Sequence, residues 1–110
     1  MSWTEAQVDE LIENVRRDFA LGRVNRIWEL KLREHGVNLR DAERAISKQS
    51  YIGRYENTGL TIGFLNPRNN VFVAWNPNTL HSYVKTCFIA DGGLDYLLRQ
   101  DEIDLIWSPK

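Results

Sequence analysis

Near Ser50 the hydrophobic period of the chain changes, and that change limits the fold more than any other feature. Before it, apolar residues recur at helical spacing. Val8, Leu11, Ile12, Val15 and Phe19 fall at i, i+3, i+4, i+7 and i+11, which is one face of a helix. Ser2-x-x-Glu5 and Thr4-x-x-Gln7 both match the capping box, in which side chains satisfy the first free N–H groups. Gly22 is placed to end this helix. A second helix is expected from Arg23 to His35, with Val24, Ile27, Trp28 and Lys31 on one face and Leu30 beside it. Gly36 follows directly, as a C′ glycine should. Asn38 then caps a third helix, with Asp41 in its first turn where the dipole favours an acid. Leu39, Ala42, Ala45 and Ile46 give that helix a narrow apolar stripe.

Beyond Ser50, short apolar runs alternate with turn clusters. Strands are expected at Tyr51–Tyr55, Leu60–Leu65, Val71–Trp75 and Ser82–Ile89. Between them lie Glu56-Asn57-Thr58-Gly59, Asn66-Pro67-Arg68-Asn69-Asn70 and Asn76-Pro77-Asn78-Thr79, all rich in turn residues. The third run is densely apolar, as a central strand would be. Asp91-Gly92-Gly93 breaks the series, a short helix follows over Leu94–Arg99, and Ile103–Trp107 is a late strand or an apolar tail. The expectation is one α+β domain over residues 1–110. Two to three N-terminal helices pack on a four- to five-stranded antiparallel meander sheet, with a short C-terminal helix.

Composition excludes several classes. Twelve aromatics, four of them Trp, supply enough buried surface for a core without covalent staples. The single cysteine, Cys87, forbids an intramolecular disulfide and a cysteine-rich zinc site. It lies in an apolar run, so a buried structural thiol is expected. No metal or cofactor is expected. No apolar stretch nears the roughly 18 residues of a membrane span. Met1-Ser2-Trp3-Thr4-Glu5 lacks the basic and apolar regions of a secretory signal, so a cytoplasmic location is expected, with any export left to another segment or machine. The formal net charge is −1, whereas nucleic-acid-binding domains are usually basic. A local basic patch remains compatible with that balance. Gly-rich phosphate loops, G-x-S-x-G elbows, H-E-x-x-H and EF-hand patterns are missing from the sequence. Its carboxylates fall mostly on solvated helix faces, and no acid/base pair stands out.

Two histidines are the natural proton carriers. His35 sits at the expected C-terminal end of the second helix, where the dipole favours its charged form. Lys31 precedes it by one turn and could hold a phosphate while His35 moves a proton. His81 lies in the turn before the fourth strand and is placed among the substrate contacts. In that strand alternation sets Ser82, Val84, Thr86 and Phe88 on one side and Tyr83, Lys85, Cys87 and Ile89 on the other. Arg54 and Arg68 are candidate phosphate ligands.

Two stretches resemble known toxins. Leu32-Arg33-Glu34-His35-Gly36-Val37-Asn38-Leu39-Arg40-Asp41-Ala42-Glu43 is similar to the KHGVSFEEA helix–turn–helix of BrnT-like toxins. Leu60-Thr61-Ile62-Gly63-Phe64-Leu65-Asn66-Pro67-Arg68-Asn69-Asn70-Val71-Phe72-Val73-Ala74-Trp75, continuing through Val84-Lys85-Thr86-Cys87-Phe88, resembles the GFYNPKTGLFVAV…KIVTVF hairpin of colicin D-like and contact-dependent-inhibition toxin domains. Both groups belong to the barnase–EndoU–colicin–RelE class. Its fold packs N-terminal helices on a four- or five-stranded antiparallel sheet, and its members cleave RNA without metal. The resemblance implies a bacterial tRNA-directed ribonuclease toxin with a cognate immunity or antitoxin protein. It casts His35 and Lys31 as the basic cluster and Thr86 and Phe88 as the hydroxyl and aromatic of a late strand. Thr stands for the family's Ser and Phe for its Trp; the lysine–histidine spacing differs too. The implied chemistry is attack of a 2′-OH on the adjacent phosphate. His35 acts as acid/base, Lys31 with Lys85 or Arg54 as clamps, and Thr86 orients the phosphate. Trp75 or Phe88 stacks on a base.

A different class also fits. A near-neutral, aromatic-rich small domain suits a non-enzymatic immunity protein, antitoxin or phage inhibitor, with Trp and Tyr as interface anchors. A catalytically inert member of the toxin fold, kept as an interaction module, is a third class.

Overall fold

The computed structural model describes residues 3–21, 34, 36–55, 61–76, 83–99 and 103–109, the backbone alone at 83–86. Helix α1 spans Glu5–Ala20 and is capped by Thr4. Of the two possible capping boxes the chain uses the second. Gln7 N–H donates to Thr4 Oγ1 at 3.2 Å, and Thr4 N–H donates to Gln7 Oε1 at 2.8 Å. Val8, Leu11 and Val15 are buried, with Ile12 and Phe19 partly so, as the period requires. Each such burial is worth about 1.5–3 kcal/mol.

The second expected helix lies outside the described residues, apart from exposed, helical Glu34. Gly36 has φ 68°, the left-handed conformation of a C′ glycine. Helix α2 spans Leu39–Ala45, and Asn38 accepts from Asp41 N–H at 2.9 Å. That cap is worth about 1 kcal/mol. Ala42, Ala45 and Ile46 are fully buried, but Leu39 is 52% exposed and does not belong to the stripe. It occupies the first helical position, one turn ahead of the face that meets the sheet.

The sheet contains β1 (Tyr51–Tyr55), β2 (Thr61–Leu65), β3 (Val71–Asn76), β4 (Tyr83–Ile89) and β5 (Ile103–Trp107), in the order β4-β3-β2-β1-β5, with every pair antiparallel. The first four strands form the expected meander. β5 returns to pair with β1, so the central strand is β2, with β3 beside it. Short helix α3 spans Leu94–Leu98.

Alternation along the strands divides the interior in two. One face carries Ile52, Ile62, Phe64, Val71, Val73, Trp75, Cys87 and Ile106 against α1 and α2. The other carries Tyr55, Leu65, Phe72 and Ala74 against Leu97 of α3. Two bulges interrupt the alternation. Thr86 pairs with Ala74 and Val84 with Trp75, which leaves Lys85 as the extra residue of β4. Val84 and Thr86 therefore oppose adjacent β3 residues, and the two-residue alternation expected from Ser82 to Phe88 does not hold through Lys85. In β5, Leu105 pairs with Gly53 and Trp107 with Ile52, leaving Ile106 as the extra residue. No helix among the described residues is long and apolar enough to cross a membrane.

Candidate functional site

Register brings three residues from separate strands into one row. Arg54 of β1 pairs with Ile62 of β2, and Ile62 pairs with Trp75 of β3. Adjacent strands lie about 4.8 Å apart, so the row from Arg54 to Trp75 spans roughly 10 Å. The same row continues to Asp104 of β5 beside Arg54 and to Val84 of β4 beside Trp75.

Over this row lies α1. Trp3, Gln7, Glu10, Leu11 and Asn14 follow one another at helical spacing, and with Arg54, Ile62 and Trp75 they line a cleft of about 410 Å³. That volume falls in the usual range of small-molecule sites, about 300–1,000 Å³. Its walls combine two indoles and two aliphatic side chains with one carboxylate, one guanidinium and two amides.

Several contacts fix the geometry of these walls. The Trp75 indole N–H donates to Asp18 Oδ2 at 2.7 Å, both residues being buried. This bond ties the last turn of α1 to β3 and holds the ring in one orientation. Gln7 is held by the capping box. Trp3 is anchored by its backbone N–H, which donates to Ile106 of β5 at 3.3 Å. Arg16 Nε–H donates to the Ile46 carbonyl at 2.9 Å, fastening α1 to the end of α2.

Of the residues singled out by sequence, Arg54 and Trp75 meet in this cleft. Phe88 does not join them. It belongs to the opposite face, where its ring centroid lies 5.3 Å from both Phe72 and Tyr96. Phe88 is thus not a stacking surface for a base held in this cleft. Arg68 lines a second hollow, of about 420 Å³, at the other end of the sheet with Lys48, Gln49 and Trp107. Lys48 there bridges Glu5 at 2.9 Å and Asp9 at 3.0 Å, and those hydrogen bonds raise its pKa above the usual lysine value. Lys31, His35 and His81 lie outside the described residues. Thr86 and Lys85 are placed by register alone: Lys85 is at the bulge, and Thr86 pairs with Ala74, a residue of the face opposite the cleft, so the expected role of Thr86 beside Arg54 does not hold.

The sequence reading missed Trp3, Gln7, Glu10 and Asn14. A signal was present. Gln7, Glu10 and Asn14 border the apolar stripe of α1, and residues at such a border face the sheet wherever the helix stands off from it. Among the described residues no three of His, Cys, Asp and Glu gather to hold a metal ion. Comparison with family models, curated proteins and solved structures found no match to the chain.

Proposed function

We infer that the domain is a small bacterial toxin that binds and cleaves RNA, tRNA foremost, acting in the cytoplasm and countered by a cognate immunity or antitoxin protein. One observation supports this reading above others. Arg54 and Trp75, expected as a phosphate ligand and as one of two alternative base contacts, stand in one cross-strand row and line one cleft. Helices packed on an antiparallel sheet also agree with the architecture that the resemblance implies.

Under this proposal Arg54 clamps a phosphate and Trp75 forms part of the wall beside the base. His35 takes the 2′-OH proton as that oxygen attacks the phosphorus, and returns a proton to the leaving 5′ oxygen. Lys31 and Lys85 balance the charge of the transition state. Positioned acid–base catalysis contributes about 10²–10⁴-fold, with further stabilisation from the cations. Purified protein should cut total tRNA at a defined position in EDTA, and His35→Ala should lose at least 100-fold in rate. Equal cutting by that variant would remove His35 from the mechanism.

A second reading has its own support. Glu5, Asp9, Glu10 and Glu13 are all exposed along the first turns of α1 and would suit a basic protein partner. Under it, the chain is a non-enzymatic immunity, antitoxin or inhibitor protein. Expression without any partner separates the two: the toxin arrests growth, the binding protein does not.

A further inference from the structure

The second hollow has no part in the chemistry above. Four stretches of chain converge on it: the start of α1 with Glu5, the segment between α2 and β1 with Lys48 and Gln49, the β2–β3 turn with Arg68, and the end of β5 with Trp107. We propose that it binds a small aromatic monocarboxylate, with the carboxylate held by Arg68 and the ring lying on Trp107. Its walls are fixed in place. Trp107 Nε1–H donates to the Lys48 carbonyl at 2.9 Å, which ties β5 to the segment before β1. Asn66 Oδ1 accepts from Arg68 N–H at 3.0 Å, and Asn66 N–H donates to the Val71 carbonyl at 2.9 Å. The backbone that carries Arg68 is therefore pinned. The rings of Pro67 and Pro109 line the hollow with the Trp107 indole. All three ring systems have few rotatable bonds, so little freedom is lost when a flat ligand settles among them.

Charge decides the polar group of the ligand. Lys48 Nζ is engaged by two carboxylates, Glu5 at 2.9 Å and Asp9 at 3.0 Å. Arg68 is exposed, and among the described residues no acid pairs with its guanidinium. It is the cation of this hollow whose charge is still unmatched. A guanidinium holds a carboxylate through two parallel N–H···O bonds. A phosphate monoester offers the same fork but carries a second negative charge, which the Glu5 carboxylate in the same wall repels. Size limits the rest of the ligand. The hollow, at about 420 Å³, lies near the low end of small-molecule sites, about 300–1,000 Å³. One ring system on a short acid arm suits that space.

The test is NMR titration of the full chain with phenylacetate, phenylacetamide, acetate and phenyl phosphate, followed at the indole N–H resonance of Trp107. Phenylacetate should shift that resonance and bind roughly tenfold tighter than phenylacetamide, which keeps the ring and the shape but loses the charge. Acetate, which has no ring, and phenyl phosphate, which has a second charge, should both bind more weakly than phenylacetate. Arg68→Gln should bring phenylacetate down to the level of phenylacetamide. Arg68 is exposed, and circular dichroism checks that the variant is folded. Equal binding of the acid and the amide, tighter binding of phenyl phosphate, no shift at Trp107, or an undiminished preference in Arg68→Gln would each overturn the proposal. The outcome is separable from that of RNA cleavage, since none of the residues assigned to cleavage is needed here.

Discussion

Asp18 shows how a single side chain joins fold and site. It is a buried carboxylate on an otherwise apolar helix face, and it accepts the indole N–H of Trp75 at 2.7 Å. Asp18→Ala leaves that N–H buried without this acceptor, which costs about 1–3 kcal/mol. The midpoint of urea denaturation should fall accordingly, and Asp18→Asn, which keeps an acceptor oxygen, should recover most of the loss. Its spacing from Leu11 and Val15 puts Asp18 on the apolar stripe, but nothing local names its partner, which is 57 residues away. Cys87 was easier to read. Its apolar neighbours predicted a buried thiol, and it is fully buried. Burial first, and then the Asp41 carboxylate, push its pKa up to about 12. A cysteine in an unfolded chain ionises near 8.5. Above that pH the unfolded state releases a proton that the folded state keeps. Stability at this group is therefore complete below about pH 8.5 and declines as pH rises toward 12. At pH 8 a thiol reagent should leave Cys87 unmodified in the native protein and label it once urea unfolds the chain; rapid native labelling would contradict its burial.

Elements were legible where local chemistry decides them. The Thr4 and Asn38 caps, the α1 stripe and the Asn66–Asn70 turn are all set by residues within a few positions of one another. In that turn Asn66 Oδ1 accepts from Arg68 N–H and Asn69 Oδ1 from Val71 N–H. What the sequence concealed is long-range. The bulges at Lys85 and Ile106 depend on how two strands slide past each other, and a period-two reading of either strand alone does not reveal them. Gly63 is a further case. It has ordinary strand conformation, but a Cβ there would lie 2.7 Å from Tyr55 Oη and 2.8 Å from Phe72 Cε1. Gly63→Ala should cost about 1–3 kcal/mol through overpacking, read as a lower denaturation midpoint. Tyr55→Phe in the same background should recover part of that cost. It removes the nearest atom, and the Tyr55 hydroxyl is buried with no hydrogen-bond partner among the described residues. An unchanged midpoint in Gly63→Ala would mean that β1 and β3 are not held this closely.

At the scale of the whole molecule, one five-stranded sheet separates two cores, and the cleft opens on the face that carries α1. The α+β class and the four-strand meander follow from the change of period near Ser50. The return of β5 to β1 does not, since a late apolar segment can pair at either edge of a meander. The cleft was legible in half. Arg54 and Trp75 were chosen for their chemistry, but the α1 wall emerges only once the helix is docked on the sheet. Its one acid, Glu10, lines the same cleft as the cation of β1, so the local charge is mixed. Such a mixture is not the basic stripe that tracks a long charged backbone. The proposed cleavage of RNA by its own 2′-OH is tested most directly by the chemistry of the new ends. Wild-type protein incubated with tRNA in EDTA should leave a 2′,3′-cyclic phosphate on the 5′ fragment and a 5′-hydroxyl on the 3′ fragment. Intact tRNA, or fragments ending in a 3′-hydroxyl and a 5′-phosphate, would contradict it.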